Sequence, residues 1–459
     1  MYDATLVTAF KTAGESPGKA PAAPASDGST RTSVPTIAIV GSGPSGCYAG
    51  QFLAKRWPGA DITIFEALPA PYGLIRYGVA ADHQGAKGVI RQFDRMFTTG
   101  GVRFVGNVSV GRDIGFDELA AGFDIVVLAT GLPEDRSLDI PQEPGSRVIG
   151  AGALLRTLNG FPARRLPCDE TGAHAPLGQS IAVVGMGNVA VDVVRLLSKG
   201  ADGFIGSDID DDILGQLRPT APMTIDVIGR SVAAEAKCDA AMLREVVSLN
   251  NVEIEVTGLT DSDQGPIADL LRPHASRADV AGAVSTGSTL RRTRVCLHFG
   301  VTPEAIERGD GHTLLRARRG HGERMDFAVD SVITAVGFTC GGTDDRSCPS
   351  PAWTGPQVYR VGWLRRGPKG TIPENRKDAQ QVVDAIVSDV SSGRLALGRA
   401  GFEAIGPQLG SQVVTFAGWQ RIELHERQSA HPDRCRRKIV DVDTMLAIAT
   451  SGEKLTSAT

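Results

Sequence analysis

No Cys-x-x-Cys pair occurs in this chain. Its seven cysteines (Cys47, Cys168, Cys238, Cys296, Cys340, Cys348 and Cys435) are scattered. That spacing argues against a zinc site, a cysteine-ligated cluster or a dithiol redox centre, and it fits a reducing compartment. No metal site is expected. A surplus of one charge is missing too: 48 basic residues meet 52 acidic ones, for a net of -4. The chain therefore lacks the global basic field of a nucleic-acid binder. No apolar run approaches the ~18 residues of a membrane-spanning helix, so no membrane insertion is expected. The first residues lack the apolar stretch of a secretory signal. Cytoplasmic residence follows as an expectation, and the excess of arginine over lysine suggests a bacterial source.

What is present fits a folded enzyme. At about 150 residues per domain, 459 residues predict two to three domains. Hydrophobic residues at 42% and charged residues at 22% are ordinary for soluble globular proteins. Residues 1–34, rich in Ala, Pro, Ser, Thr and Gly, read as a flexible tail. At Thr36 the character changes. The run TIAIV (36–40) is a short buried strand, GSGPSG (41–46) follows, and CYAGQFLAKRW continues with helical apolar spacing. ITIFEA (62–67) and DIVVLATG (124–131) are the next strand candidates. The pattern then returns: SIAVVGMGNVAVDVVRLL (180–197), TIDVIGR (224–230) and DSVITAVGF (330–338), with a helix over 377–390. A roughly 25-residue insertion (199–223) delays the strand at 224. The polar stretch 260–290 reads as a long loop.

Each repeat carries a phosphate-binding signature. In Gly41-x-Gly43-x-x-Gly46, Gly41 permits the tight turn, Gly43 lets the backbone approach a pyrophosphate, and Gly46 lets helix and strand pack closely. The helix start then offers free N–H groups and a positive dipole end. Glu66 ends the next strand at the offset expected of an acid that accepts hydrogen bonds from ribose hydroxyls. The second signature is Gly185-x-Gly187-x-x-Ala190. Its next strand ends in Arg230-Ser231 with no acid. An arginine there meets a 2′-phosphate, and the missing carboxylate removes a repulsion, which favours NADPH over NADH. Two such sites in one chain suggest FAD in one and NADP in the other, with NAD the weaker candidate. Hydride chemistry then needs no nucleophilic side chain; the protein holds one redox ring against the other.

Beyond these patterns, the sequence resembles the adrenodoxin-reductase-like ferredoxin–NADP reductases, a branch of the glutathione-reductase-type flavoproteins. The resemblance rests on IAIVGSGPSG (37–46), FEALPAPYGLIRYGVAADH (65–83), GNVAVDVVRLL (187–197), LRP (217–219), LREV (243–246) and VGWLRRGPKGTIPENRKDAQ (361–380). It implies an α/β fold with two Rossmann-like, three-layer (ββα/βαβ) dinucleotide-binding domains. The FAD domain is then discontinuous (35–136 and 337–459) and encloses an NAD(P) domain (137–336). The resemblance places Ser45, Glu66, Leu74 and Val110 on FAD. It lays Trp363 and the backbone of Gly370, Thr371 and Ile372 along the flavin ring. Gly187, Asn188, Val189 and Ala190 would lie under the NADP pyrophosphate, with Arg136 touching NADP near the domain crossover. His83 and Glu245 become the catalytic pair at the nicotinamide end, where an imidazole and a carboxylate can orient a carboxamide or relay a proton. Where the family has an adjacent arginine pair, this chain has Arg230-Ser231, so one clamp on the 2′-phosphate is missing.

The resemblance further implies hydride transfer between NADPH and FAD, then single-electron transfer to a ferredoxin or similar iron–sulfur carrier. Such carriers are usually acidic, so a local basic docking face is expected. The candidates are Arg365 and Arg366, the group Arg291, Arg292 and Arg294, and the group Arg316, Arg318 and Arg319. The alternative function is an NAD(P)H-dependent flavin oxidoreductase acting on a small molecule or quinone.

Overall fold

The computed structural model describes residues 34–163, 166–275, 292–320, 322–340 and 348–451. Residues 1–33 of the expected N-terminal tail, Arg291, and residues 276–290 of the polar stretch 260–290 lie outside them. The chain opens with β1 (Thr36–Val40), the helix Pro44–Arg56, β2 (Asp61–Phe65), β3 (Val102–Val105) and β4 (Ile125–Leu128). It continues through β5 (Glu134–Asp135), β6 (Val148–Gly150), β7 (Ser180–Val184), β8 (Thr224–Gly229), β9 (Val252–Thr257) and β10 (Thr293–Phe299). A meander follows: β11 (Val301–Arg308), β12 (Thr313–Arg319) and β13 (Glu323–Val329). The last strands are β14 (Ser331–Thr334), β15 (Phe338–Thr339) and β16 (Val358–Arg360).

These strands build two parallel sheets, ordered β16-β4-β1-β2-β3 and β6-β14-β7-β8-β10-β9. Each is buried on both faces, as parallel sheets must be. In the first, Ile37 and Ile39 face helices through Leu53, Val383 and Ile386, while Ala38, Val40 and Val126 face Phe116, Leu119 and Ile405. In the second, Ile181, Val183 and Val227 pack on the helices Asn188–Ser198 and Ala240–Val247. Its other face, through Ala182, Val184 and Ile228, meets Ile306 and Leu315 of the antiparallel sheet β11-β12-β13. The second half is therefore helix, parallel sheet and antiparallel sheet in layers. Each fully buried Leu or Ile side chain contributes roughly 1.5–3 kcal/mol. The chain passes between the two halves at β5 and β15, which pair with each other.

Four features differ from the sequence reading. The strand β3 is absent from it, because four residues carry too little periodicity. The stretch 260–290 is not all loop: Pro266–Leu271 is a helix, started by a proline in its first turn. The helix expected over 377–390 spans Ile372–Ser391. It starts earlier because Thr371 and Glu374 form a capping box and Pro373 suits the first turn. The insertion 199–223 is structured, with Asp210 capping the helix Asp211–Leu217.

That insertion and the chain's last described segment share a buried charge cluster. Asp208 sits 2.7 Å from Lys87 and 2.9 Å from Lys438, and Arg76 pairs with Glu426 at 2.5 Å. All five are nearly solvent-free. Removing one partner from such a pair strands a buried charge and costs about 3–5 kcal/mol.

Candidate functional site

β1 runs into Gly41 at φ +103°, a conformation that glycine adopts readily. A Cβ there would lie 2.6 Å from the Ala129 carbonyl oxygen. At Gly46 a Cβ would come within 2.0 Å of the Gly41 oxygen, so helix and turn touch backbone to backbone. Gly43 is the opposite case, with nothing within 4 Å. It opens onto a cavity of about 870 Å³. Glu66 faces the same cavity. Its carboxylate accepts from the Ser42 N–H at 3.0 Å, the Ser42 hydroxyl at 2.5 Å and the Leu68 N–H at 3.1 Å. Burial pushes the Glu66 pKa up, against the opposing pull of these donors. Glu66 thus fixes the glycine turn itself, a role the motif does not announce.

Ser45, Leu74, Val110, Trp363, Gly370, Thr371 and Ile372 also line the cavity. The Trp363 segment is seated on the first turn. Ser45 donates to Asn375 Oδ1 at 3.1 Å, and the Gly362 N–H donates to Asp378 at 2.5 Å. Two buried polar atoms on the cavity wall, Trp363 Nε1 and Thr130 Oγ1, have no protein partner. A large, mostly apolar cavity with a few unspent polar groups and an open glycine turn fits a flavin dinucleotide.

The helix that follows the second turn reaches the same space, although the turn's own glycines do not line it. Gly185 stands at φ +129°, its absent Cβ 2.4 Å from the Ala335 oxygen, while Gly187 is open. Asn188, Val189 and Asp192, on the helix that follows, line the cavity together with Gly43 and Ser45. The Asn188 Oδ1 accepts from the Asp239 N–H at 2.7 Å, tying the turn to the helix Ala240–Val247. Gly46 and Ala190 lie behind their turns. Arg230 and Arg136 are exposed; the Arg136 N–H donates to Gly337 O at 2.9 Å. Ser231 accepts from the Gly300 N–H through its carbonyl. None of these last five residues touches the cavity wall.

His83 and Glu245, 162 residues apart, meet at 3.1 Å between Nε2 and Oε2. An ionised carboxylate only accepts, so His83 carries its proton on Nε2 in this contact. On the other side, Nδ1 lies 3.7 Å from Asp192. Arg195 holds the group together: it pairs with Asp192 at 2.8 Å, with Asp82 at 2.9 Å, and stands 3.5 Å from Glu245. Lys199 adds a second cation to Asp82. Burial alone would raise the Asp82 pKa, but Arg195 and Lys199 outweigh it and hold it at about 2. Asp192 goes the other way: burial raises its pKa despite Arg195 and His83. Sequence reasoning missed Asp82, Asp192, Arg195 and Lys199. The available signals were slight: Asp82 adjoins His83, and Asp192 and Arg195 stand i,i+3 on one helix.

Two readings are corrected. Cys340 and Cys348 form a disulfide, their Cα atoms 5.5 Å apart, and Cys348 lines the cavity. A spacing of eight conceals this pair. The expectation of a reducing compartment, read from the cysteine spacing, does not account for this pair. The docking arginines are also largely spoken for. Arg365 bonds Asp378 at 2.9 Å, and Arg366 bonds Asn375 at 2.7 Å. Arg316 lies between Glu307 and Asp326, Arg318 on Glu304, and Arg319 near Glu323. Arg294 stands 3.8 Å from Glu255.

Residues 35–205 match the family model of the pyridine nucleotide-disulphide oxidoreductases. The chain is 43% identical over 429 residues to a cindoxin reductase of Citrobacter braakii, covering 90% of this chain and 91% of the relative. It is 31% identical to the NADPH-ferredoxin reductase FprA of Mycobacterium tuberculosis, covering 90% and 98%. The solved structure of Mycobacterium tuberculosis FprA in complex with NADPH superposes with a TM-score of 0.77 at 29% identity, over 91% of this chain and 99% of that one. No helix among the described residues is long and apolar enough to cross a membrane.

Proposed function

The chain belongs to the adrenodoxin-reductase-like ferredoxin–NADP reductases, and from that membership we propose that it is an FAD-dependent enzyme moving electrons between NADPH and an iron–sulfur carrier of the ferredoxin type. One observation carries the reading: the first glycine turn, through Gly41, Gly43 and Ser45, and the start of the helix after the second turn, through Asn188 and Val189, line a single cavity. Dinucleotides held at those two places would reach one shared space.

When bound, FAD supplies the chemistry that accepts a hydride and passes on its two electrons one at a time. The protein's part is to bind, orient and exclude water. In this reading Gly41, Gly43 and Gly46 form the cradle for the FAD pyrophosphate, and Glu66 keeps lone pairs for a ribose. Trp363 and the 370–372 backbone line the ring, with Trp363 Nε1 as a buried donor awaiting an acceptor. Gly187, Asn188, Val189 and Ala190 hold the NADP pyrophosphate. Arg230, exposed at the end of β8, reaches the 2′-phosphate beside the Ser231 hydroxyl, and Arg136 closes on the nucleotide from the crossover. His83 and Glu245 bridge the two halves at the nicotinamide end. His83 Nε2 holds a proton against Glu245, and Asp192 and Arg195 fix the ring's orientation.

The likeness to a cindoxin reductase supports a second reading of the acceptor alone, a carrier of the cindoxin type. One experiment tests both. The purified protein is reduced anaerobically with NADPH and, separately, NADH, and oxidised ferredoxin is then added. Bleaching of the flavin faster with NADPH, with return of colour on adding ferredoxin, is the expected result. A colourless protein that cannot be reconstituted with FAD overturns the proposal. Bleaching without reoxidation by ferredoxin moves the acceptor to the second reading.

A further inference from the structure

One face of the second parallel sheet is apolar, built by Ile225, Val227, Val295 and Leu297. Side chains alternate along a strand, so Asp226, Cys296 and Glu255 fall on the other face. The register aligns them: Cys296 of β10 sits opposite Asp226 of β8 on one side and Glu255 of β9 on the other. A buried thiol thus has a carboxylate on each flank. His298, two residues along β10, shares the face. The donor atoms of Asp226, Cys296 and His298 all lie within 4.8 Å of one another. His298 Nε2 is 2.8 Å from Asp226 Oδ1, and Cys296 Sγ is 3.5 Å from Glu255 Oε2. The ring of Phe327, on β13, covers the imidazole at 5.1 Å. Cys296 and His298 are only 5% and 7% exposed.

Asp226 pairs with His298, and Glu255 reaches Arg294 at 3.8 Å, yet both carboxylates also flank the buried thiol. The row has the composition of a ligand set. We propose that Asp226, Cys296, His298 and Glu255 bind a divalent cation of the zinc type.

Zinc bonds of about 2.0–2.3 Å in a tetrahedron put donors roughly 3.3–3.8 Å apart, close to the spacing already present among Asp226, Cys296 and His298; Glu255, on the far flank of Cys296, swings in to complete the set. A sulfur, a nitrogen and two oxygens suit a borderline-soft ion and not magnesium or calcium, which take oxygen alone. The imidazole is already oriented: Thr257 Oγ1 holds Nδ1 at 2.9 Å and is itself held by Arg319. Such support from outside the ligand set is characteristic of histidine–metal sites. On binding, the Cys296 S–H bond breaks, a sulfur–metal bond forms and the proton leaves to solvent. The imidazole proton moves from Nε2 to Nδ1, where Thr257 accepts it. The ion would join β8, β9 and β10, and β8 delivers Arg230. Cysteine spacing excluded a zinc site; strand register assembles one from residues 226, 255, 296 and 298.

The flavin-loaded protein, dialysed against a chelator, is titrated with Zn²⁺ alone against a fluorescent zinc indicator, with bound metal counted by mass spectrometry. One ion per chain, proton release on binding and a raised melting temperature are expected. Cys296→Ser and His298→Gln should weaken binding at least ~100-fold and Asp226→Asn about tenfold or more, with half-exposed Glu255→Gln weakest of all. Flavin content and NADPH-driven ferricyanide reduction should not change in any variant, which checks folding. If a variant does not fold, Co²⁺ bound in place of Zn²⁺ in the unaltered protein decides instead, through its thiolate-to-metal absorption band. No stoichiometric ion, binding unchanged by Cys296→Ser, or absence of that band overturns the proposal.

Discussion

The two glycine turns have the same outline and different construction. The first is built of backbone. Gly46 brings the helix Pro44–Arg56 within reach of the Gly41 carbonyl, and Glu66, itself braced by a hydrogen bond from Leu68, locks the turn through two from Ser42. The second is built more loosely. Ala190 takes the third position, no acid closes the strand after it, and its helix is fastened by charge through Arg195, Asp82 and Lys199. The difference matches the two tasks of the proposed enzyme. A cofactor that stays needs a rigid cradle, and a substrate that comes and goes needs a site held by groups that can adjust.

Exchanging the third residues breaks the comparison most sharply. Gly46→Ala forces a methyl group 2.0 Å from the Gly41 oxygen. We expect a cost of about 3 kcal/mol or more, with flavin lost, as absorbance and thermal melting will report. Ala190→Gly should cost only about 1 kcal/mol and leave the flavin bound. Equal effects would remove the distinction. Next comes Arg230→Glu. A lost charged hydrogen bond is worth about 1.5–3 kcal/mol, so the NADPH KM should rise tenfold to a hundredfold while that for NADH hardly moves. Steady-state kinetics with both nucleotides checks this.

Acid should act on the second helix first. Asp82 has its folded pKa held at about 2, below its ordinary unfolded value of about 3.9. Its stabilisation is therefore complete above roughly pH 4 and disappears as pH falls through 2, an amount of about 2 kcal/mol. Asp82→Asn should destabilise the protein by about that much at pH 7, and the gap to the unaltered chain should close by pH 2. Urea melts across that range measure it. The smallest effect is expected at the disulfide, since Cys348 lines the cavity while the remaining walls do not depend on it. Reduction, or Cys340→Ser with Cys348→Ser, should speed flavin release by about twofold to threefold through lost preorganisation. Flavin fluorescence in a chase experiment reports it.

The turns were legible because a dinucleotide cradle is local. Gly41 to Glu66 is one continuous stretch whose spacing carries its chemistry. The acid-and-imidazole pair was legible only through the family resemblance, since 162 residues separate His83 from Glu245. Asp82, Asp192 and Arg195 were not legible, because an ion pair between a loop and a distant helix leaves no period in the sequence. The arginines of β12 misled for the same reason. Arg316 and Arg318 look like a basic patch in a row, but the carboxylates that neutralise them arrive from β11 and β13. Short strands such as Val102–Val105 fall below what periodicity can resolve, and a spacing of eight does not announce the Cys340–Cys348 bond.

The buried set of Arg76, Lys87, Asp208, Glu426 and Lys438 has a consequence for biogenesis. Arg76 and Lys87 leave the ribosome hundreds of residues before Glu426 and Lys438 do. Until those late residues emerge, Arg76 has no counter-ion and must stay hydrated, so the region around it cannot dry and close. Completion of the flavin-binding half is in this way deferred until Glu426 has been synthesised, and a chain cut short before it is left with an unmatched guanidinium.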